Sequence, residues 1–192
     1  MKKYELTAEF IEQWGKKLFR IKALISFGSV EAGELGGYVE KEDNLAQDGD
    51  AWVCDNAWVC DNVMVYGNAR VCGNARVYDN VMVYGDARVY GDARVCGDAW
   101  VYGDARVYGD ARVCGDARVC DNADYLLIGR IGSRFSFTTF FKNKDKGITV
   151  SCGCFLGTIA EFRAKVTDTH GNNKHAKIYN LAADMAELQI LG

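Results

Sequence analysis

The chain has 192 residues, 49% of them hydrophobic, with 23 basic against 26 acidic side chains and a formal charge of −3. That is ample apolar material for a core, while no apolar run approaches the roughly 20 residues needed to span a bilayer, so a membrane protein is not expected. A near-neutral charge also gives no general attraction to nucleic acid, and any such binding would have to rest on a local patch.

Residues 1–50 read as an N-terminal cap followed by degenerate coils. MKKYELTAEF has two lysines but no apolar stretch of signal-peptide type, which makes the cytoplasm the expected location. In the segment TAEFIEQWGKKLFRIKALISF, Thr7 is placed to cap a short helix over 7–15, with a strand near 17–24 after it. The next stretch, GSVEAGELGGYVEKEDNLAQDGD, has glycines at turn positions and Val39, Leu45 and Ala51 in step at six. An atypical first coil is what a solenoid needs to close its open end.

From Ala51 to Asn122 the sequence divides into twelve hexapeptides without an insertion, AWVCDN through ARVYGD to ARVCDN. Each copy has a small residue, a variable one and a Val, so the first and third side chains share one face and the second takes the other. The strand then ends in Gly or Asp followed by Asn or Asp, residues that tolerate left-handed backbone angles. Because one hexapeptide cannot bury its own Val, the copies must stack.

This pattern resembles the hexapeptide repeat of left-handed parallel β-helices, in which three hexapeptides make one triangular coil. Val53, Val59, Val65 and every sixth Val to Val119 meet the family's aliphatic rule, with Ala51, Ala57 and Val63 two positions before. The resemblance implies a mainly β fold, and twelve copies at three to a coil make four full coils, about 19 Å long at the ~4.8 Å strand spacing.

Stacking every third hexapeptide sorts the outward side chains into three columns. The first is Trp52, Arg70, Arg88, Arg106; the second Trp58, Arg76, Arg94, Arg112; the third Met64, Met82, Trp100, Arg118. Two columns are arginine ladders, and with Tyr90 and Tyr108 at the corners they are candidate binding faces. The third is mostly apolar and is the expected contact between subunits of a dimer or trimer, against the alternative that the chain's own ends cover it. The array holds seven Arg and ten Asp, so solvated Arg–Asp pairing is the plainer expectation for the ladders. Cys54, Cys60, Cys72, Cys96, Cys114 and Cys120 occupy one repeat position that Tyr fills in the other copies. A site that accepts either residue is expected to hold free thiols rather than crosslinks. No metal is expected on the Asp/Asn corners, whose residues the turns need for backbone reasons.

Residues 123–192 change in composition and read as a small α+β domain. Tyr125–Arg130, Phe135–Phe141 and Ile148–Cys154 read as strands, with residues 143–147 as a hairpin loop. Thr158 and Glu161 form a capping box for a helix carrying Phe162 and Val166 and stopped at Gly171. A second helix, about Lys174 to Gln189, carries Ile178, Leu181, Ala182, Met185 and Leu188 at helical spacing. Cys152, Cys154, His170 and His175 could compose a zinc site by residue type. Cys-x-Cys on a strand points its thiols to opposite faces, however, so packing and surface roles are expected and no cofactor is implied.

The whole chain, through RIKALISFGSVEAGELGGYVE, IGSRFSFTTFFKNKDKGITVSCGCFLGTIAEF and THGNNKHAK, also resembles a family of phage and prophage proteins of gut Firmicutes. That resemblance implies a phage accessory protein at work in the host cytoplasm and brings no catalytic residues. Many left-handed β-helix proteins are acyltransferases with a catalytic His, yet the twelve copies contain none, and the chain has two His in all. A fold is not a site. The expectation is therefore a non-catalytic binder that blocks a host protein such as a defence nuclease. Acyl transfer and nucleic-acid or nucleotide binding are the alternatives.

Overall fold

The structure, a computed structural model, describes residues 2–192. It opens with an antiparallel hairpin, β1 (Tyr4–Gln13) and β2 (Lys16–Ala23), followed by β3 (Leu35–Val39). The helix expected over 7–15 is therefore strand. Two consecutive left-handed residues, Trp14 (φ 50) and Gly15 (φ 76), turn the chain tightly enough for a hairpin. Opposite charges then face each other across it, with Glu5 against Lys22 and Glu12 against Lys17.

Twelve short strands follow, β4 (Trp52–Val53) to β15 (Arg118–Val119), one in every hexapeptide. They stack in parallel in three sheets, with Arg88 lying between Arg70 and Arg106 and Val89 between Val71 and Val107. One coil is therefore three hexapeptides long, and the protein is mainly a β-solenoid with a C-terminal α+β region. Every inward Ala and Val from Ala51 to Val119 is at most 1% exposed, forming one continuous core. The corner glycines are required by contact as well as by angle. Gly97 has φ +74, and a Cβ there would lie 2.7 Å from the backbone N of Gly115 in the next coil. Where Asp replaces Gly at this corner, as in Asp55 and Asp79, its carboxylate accepts from the N–H of Gly73 or Gly97 one coil away, both at 2.9 Å.

The first coil is out of step with the frame of six. Val39 pairs with Val59 and Leu45 bridges to Val65, a longer step along the chain than that from Val53 to Val71. The inward position after Leu45 is consequently Val53 and not Ala51. The excess chain lies in the corner around Asp48–Gly49, and Ala51 takes the small-residue place.

Beyond the solenoid a four-stranded antiparallel sheet, β16 (Tyr125–Ile131), β17 (Ser136–Lys142), β18 (Ile148–Cys152) and β19 (Phe155–Thr158), carries helices α1 (Ile159–His170) and α2 (Lys174–Ile190). The Thr158–Glu161 capping box is formed. Strand β19 adds to the expected elements. Gly153 (φ 62) turns the chain after Cys152, so the expected third strand becomes a hairpin. The inner face of α2 differs too: Ala176, Tyr179, Ala182, Ala183, Ala186 and Ile190 are buried, while Leu181, Met185 and Leu188 are 62%, 57% and 77% exposed. Small residues let the helix approach β16 and α1 closely, which the larger side chains would prevent. No described helix is long and apolar enough to cross a membrane.

Candidate functional site

The three columns form as the coil period requires, but their surroundings differ. In the first, Trp52 is fully buried between Tyr4 and Phe27, with ring centroids 6.2 and 5.4 Å away. Arg70 is half-buried and Arg88 and Arg106 are exposed. In the second, Trp58 lies beneath Trp14 of the β1–β2 turn, at 5.0 Å and edge-on. Arg76 stands 6.0 Å over the Trp58 ring, Arg94 is half-buried, and Arg112 donates to the Gly153 carbonyl at 3.2 Å. The hairpin thus closes this face at one end and the C-terminal domain closes it at the other. In the third, Met64 is 51% exposed, Met82 half-buried, and the Arg118 guanidinium sits 4.3 Å over the ring of Trp100. The chain's N-terminal segment covers the tryptophans of the first two faces and leaves this one open.

The expected Arg–Asp pairing is not found. Among the described residues none of the seven array arginines has a carboxylate within 4.0 Å. The reason is that corner groups bond along the solenoid axis rather than across a face. Asn68 donates to Asp86, Asn74 to Asp92 and Asn80 to Asp98, each one coil on. Arg70, Arg88 and Arg106 are left side by side on adjacent strands with no carboxylate partner.

The corner beside that column begins with Cys54 and Cys72 and continues with Tyr90 and Tyr108, whose rings stack at 5.5 Å. Tyr108 meets Tyr125 edge-on at 6.1 Å, and burial pushes the Tyr125 phenol well above the usual tyrosine range. One depression is lined by Arg70, Arg88, Tyr90 and Arg106, and a second by Tyr90, Arg106, Tyr108, Asn122, Tyr125 and Gln189. Tyr90 and Arg106 belong to both, so a single groove runs from the middle of the solenoid to α2.

Two pairs of the cysteines expected to be free are joined, Cys54 with Cys72 and Cys96 with Cys114. The members of each pair lie one coil apart, and stacking alone brings the Cα atoms to 4.7 and 4.6 Å, inside the range a disulfide accepts. Cys60 and Cys120 have Tyr78 and Tyr102 as their neighbours at that interval and stay free. The ligand atoms of Cys152, Cys154, His170 and His175 are not among those that converge. Among the described residues the converging sets are Cys54–Asp55–Cys72, which holds a disulfide, and Glu40–Cys60–Asp61, where the Lys16 ammonium already pairs with both carboxylates.

The chain is similar to known repeat proteins in this region. A family model described as the YdcK Beta solenoid repeat matches residues 57–73, 69–85, 75–91, 87–103 and 99–115. Every matched window opens on an inward Ala and closes on a corner Gly, so the similarity follows the coil itself. No curated protein matches the chain.

Proposed function

We propose that this protein is a non-catalytic binding protein that docks an acidic protein partner on the Arg70–Arg88–Arg106 column, with Tyr90 and Tyr108 as the aromatic edge of the contact. The observation that carries this reading is that, among the described residues, three arginines on adjacent strands beside exposed tyrosines have no intramolecular carboxylate partner. Arg and Tyr are the residues in which interface binding energy concentrates, and a solenoid presents them without an ordering cost. Discrete carboxylates on a protein suit the site better than a polyphosphate, because Asp columns at the neighbouring corners would repel a continuous run of charge. The hexapeptide pattern favours left-handed winding, and the resemblance to phage proteins makes a host factor the expected partner. The open Met64–Met82 strip supports self-association on another side.

The test is copurification from host cells with the wild type and with the Arg70→Ala/Arg88→Ala/Arg106→Ala triple variant. A protein retained by the first and lost from the second supports the proposal. Equal retention by both, or tight binding of duplex DNA in its place at physiological salt, overturns it.

A further inference from the structure

A cleft of about 370 Å³ opens in the C-terminal domain, away from the solenoid groove. Four elements build it: the β16–β17 turn with Ser133, Arg134 and Ser136; the β18–β19 turn with Cys152, Gly153 and Cys154; one face of α1; and Tyr179 of α2. Its size lies within the range of pockets that hold small organic molecules. Phe162, Val166 and Tyr179, 3%, 5% and 7% exposed, make the apolar floor. The Phe162 ring meets Phe155 at 5.7 Å and Tyr179 edge-on at 5.6 Å, so the floor is a packed aromatic cluster.

The polar lining is one-sided. Arg134, Lys165 and His170 stand around the cleft, and no Asp or Glu is among the residues that line it. Arg134 has no ion pair among the described residues, and Lys165, which lines the cleft, has only the exposed Asp168 of its own helix, at 3.5 Å. His170 ends α1, and its ring stacks on Tyr179 at 5.8 Å. Burial, together with Cys152 close by, pushes the Tyr179 phenol up to about 12, so at neutral pH it is an uncharged hydroxyl group inside the cleft. Ser133, Ser136 and Thr169 add further donors at the edge. An apolar floor under a rim with cations, hydroxyls and two thiols but no carboxylate matches one ligand chemistry.

We infer that this cleft is a small-molecule site for a ligand with a planar apolar body and a single anionic head, a carboxylate or a phosphate monoester, with the body on Phe162 and Tyr179 and the head between Arg134 and Lys165. Both cations project from exposed positions, so replacing them leaves the core untouched. The site shares no residue with the arginine groove and stands or falls separately from the partner proposed there.

Calorimetric titration with 2-naphthoate, its uncharged analogue 2-naphthamide and adenosine 5′-monophosphate tests it. We expect naphthoate to bind at least tenfold more tightly than the amide, and Arg134→Gln and Lys165→Gln each to weaken naphthoate about tenfold while leaving the amide unchanged. Adenosine 5′-monophosphate separates the two head groups: binding tighter than naphthoate assigns the site to phosphates, and weaker binding to carboxylates. Equal affinity for naphthoate and naphthamide, insensitivity to both substitutions, or no heat from any probe at millimolar concentration overturns the inference.

Discussion

The two ends of the solenoid are closed by opposite chemistry. The N–H groups of the outward and corner residues donate to carbonyls one coil ahead, as Trp52 does to Ala69 and Cys54 to Val71, so the matching carbonyls of the first coil and the matching N–H groups of the last are left without a partner in the stack. At the first end the buried Lys3 ammonium donates to the carbonyls of Asp48, Gly49 and Ala51, and the Tyr4 hydroxyl lies 2.7 Å from those of Glu42 and Leu45. At the other end acceptors predominate: Asn122 to the N–H of Arg106, Thr139 to that of Arg112, and the Asp124 carboxylate to those of Cys120 and Asp121, while the Tyr125 hydroxyl donates to the one strand carbonyl it reaches, that of Arg106. A stacked repeat is thus polar along its axis, and its caps cannot be exchanged.

Substitutions at the two ends should not cost the same. Asp124→Ala removes the acceptor of two N–H groups and the partner of Lys142, and we expect a loss of about 3 kcal/mol in chemical denaturation. Ala183→Leu, on the closely packed inner face of α2, should cost about 2 kcal/mol by overpacking and loosen the domain that supplies the second cap. Thr139→Val keeps the shape but leaves the Arg112 N–H without an acceptor, at about 1.5 kcal/mol. Lys3→Met is expected to cost about 1 kcal/mol despite three lost bonds, because the burial penalty of the charge disappears with it. Leu188→Gln, on the outer face of α2, should change stability by less than about 0.5 kcal/mol. If Lys3→Met proves costlier than Asp124→Ala, the described asymmetry of the caps is wrong.

pH sharpens the same comparison. Burial raises the Asp124 carboxyl, but the Lys142 ammonium and the Cys120 N–H outweigh it and hold the group below the usual range. Its contribution is then complete above the ordinary carboxylate value of about 4 and is lost as pH falls through the lower folded value. Asp124→Asn should flatten that acid limb. For Lys3, burial lowers the pKa against the pull of Asp48 and Asp50. The unfolded chain then holds the proton more tightly, so the wild type should gain on Lys3→Met as pH rises toward about 10.5.

The periodic part of the molecule was legible to the residue, since a pattern of six with an obligatory stack leaves one arrangement for Val53 to Val119. The cysteine pairs were misread as free thiols, because interchange with Tyr along the chain concealed the one-coil interval that joins Cys54 to Cys72 and Cys96 to Cys114. The inner face of α2 was not legible, because Leu181, Met185 and Leu188 share a helical stripe whose hydrophobicity says nothing about which side meets the sheet. The same holds for the C-terminal cleft: Arg134, Lys165 and Tyr179 are far apart in sequence and come together only through the β18–β19 turn, which the Cys-Gly-Cys spacing did not reveal. For the arginine columns the sequence showed the ladders, while the axial bonding of the corner Asn and Asp residues, which leaves those arginines unpaired, needed the coil geometry.

Photo-crosslinking from position 88 and, separately, from position 82 tests the proposed docking face most directly. Replacing Arg88 with a photoreactive residue should join the protein to its acidic partner, while the same residue in place of Met82 should give only crosslinks to a second copy of the chain. Partner crosslinks from position 82 with none from position 88 would contradict the assignment.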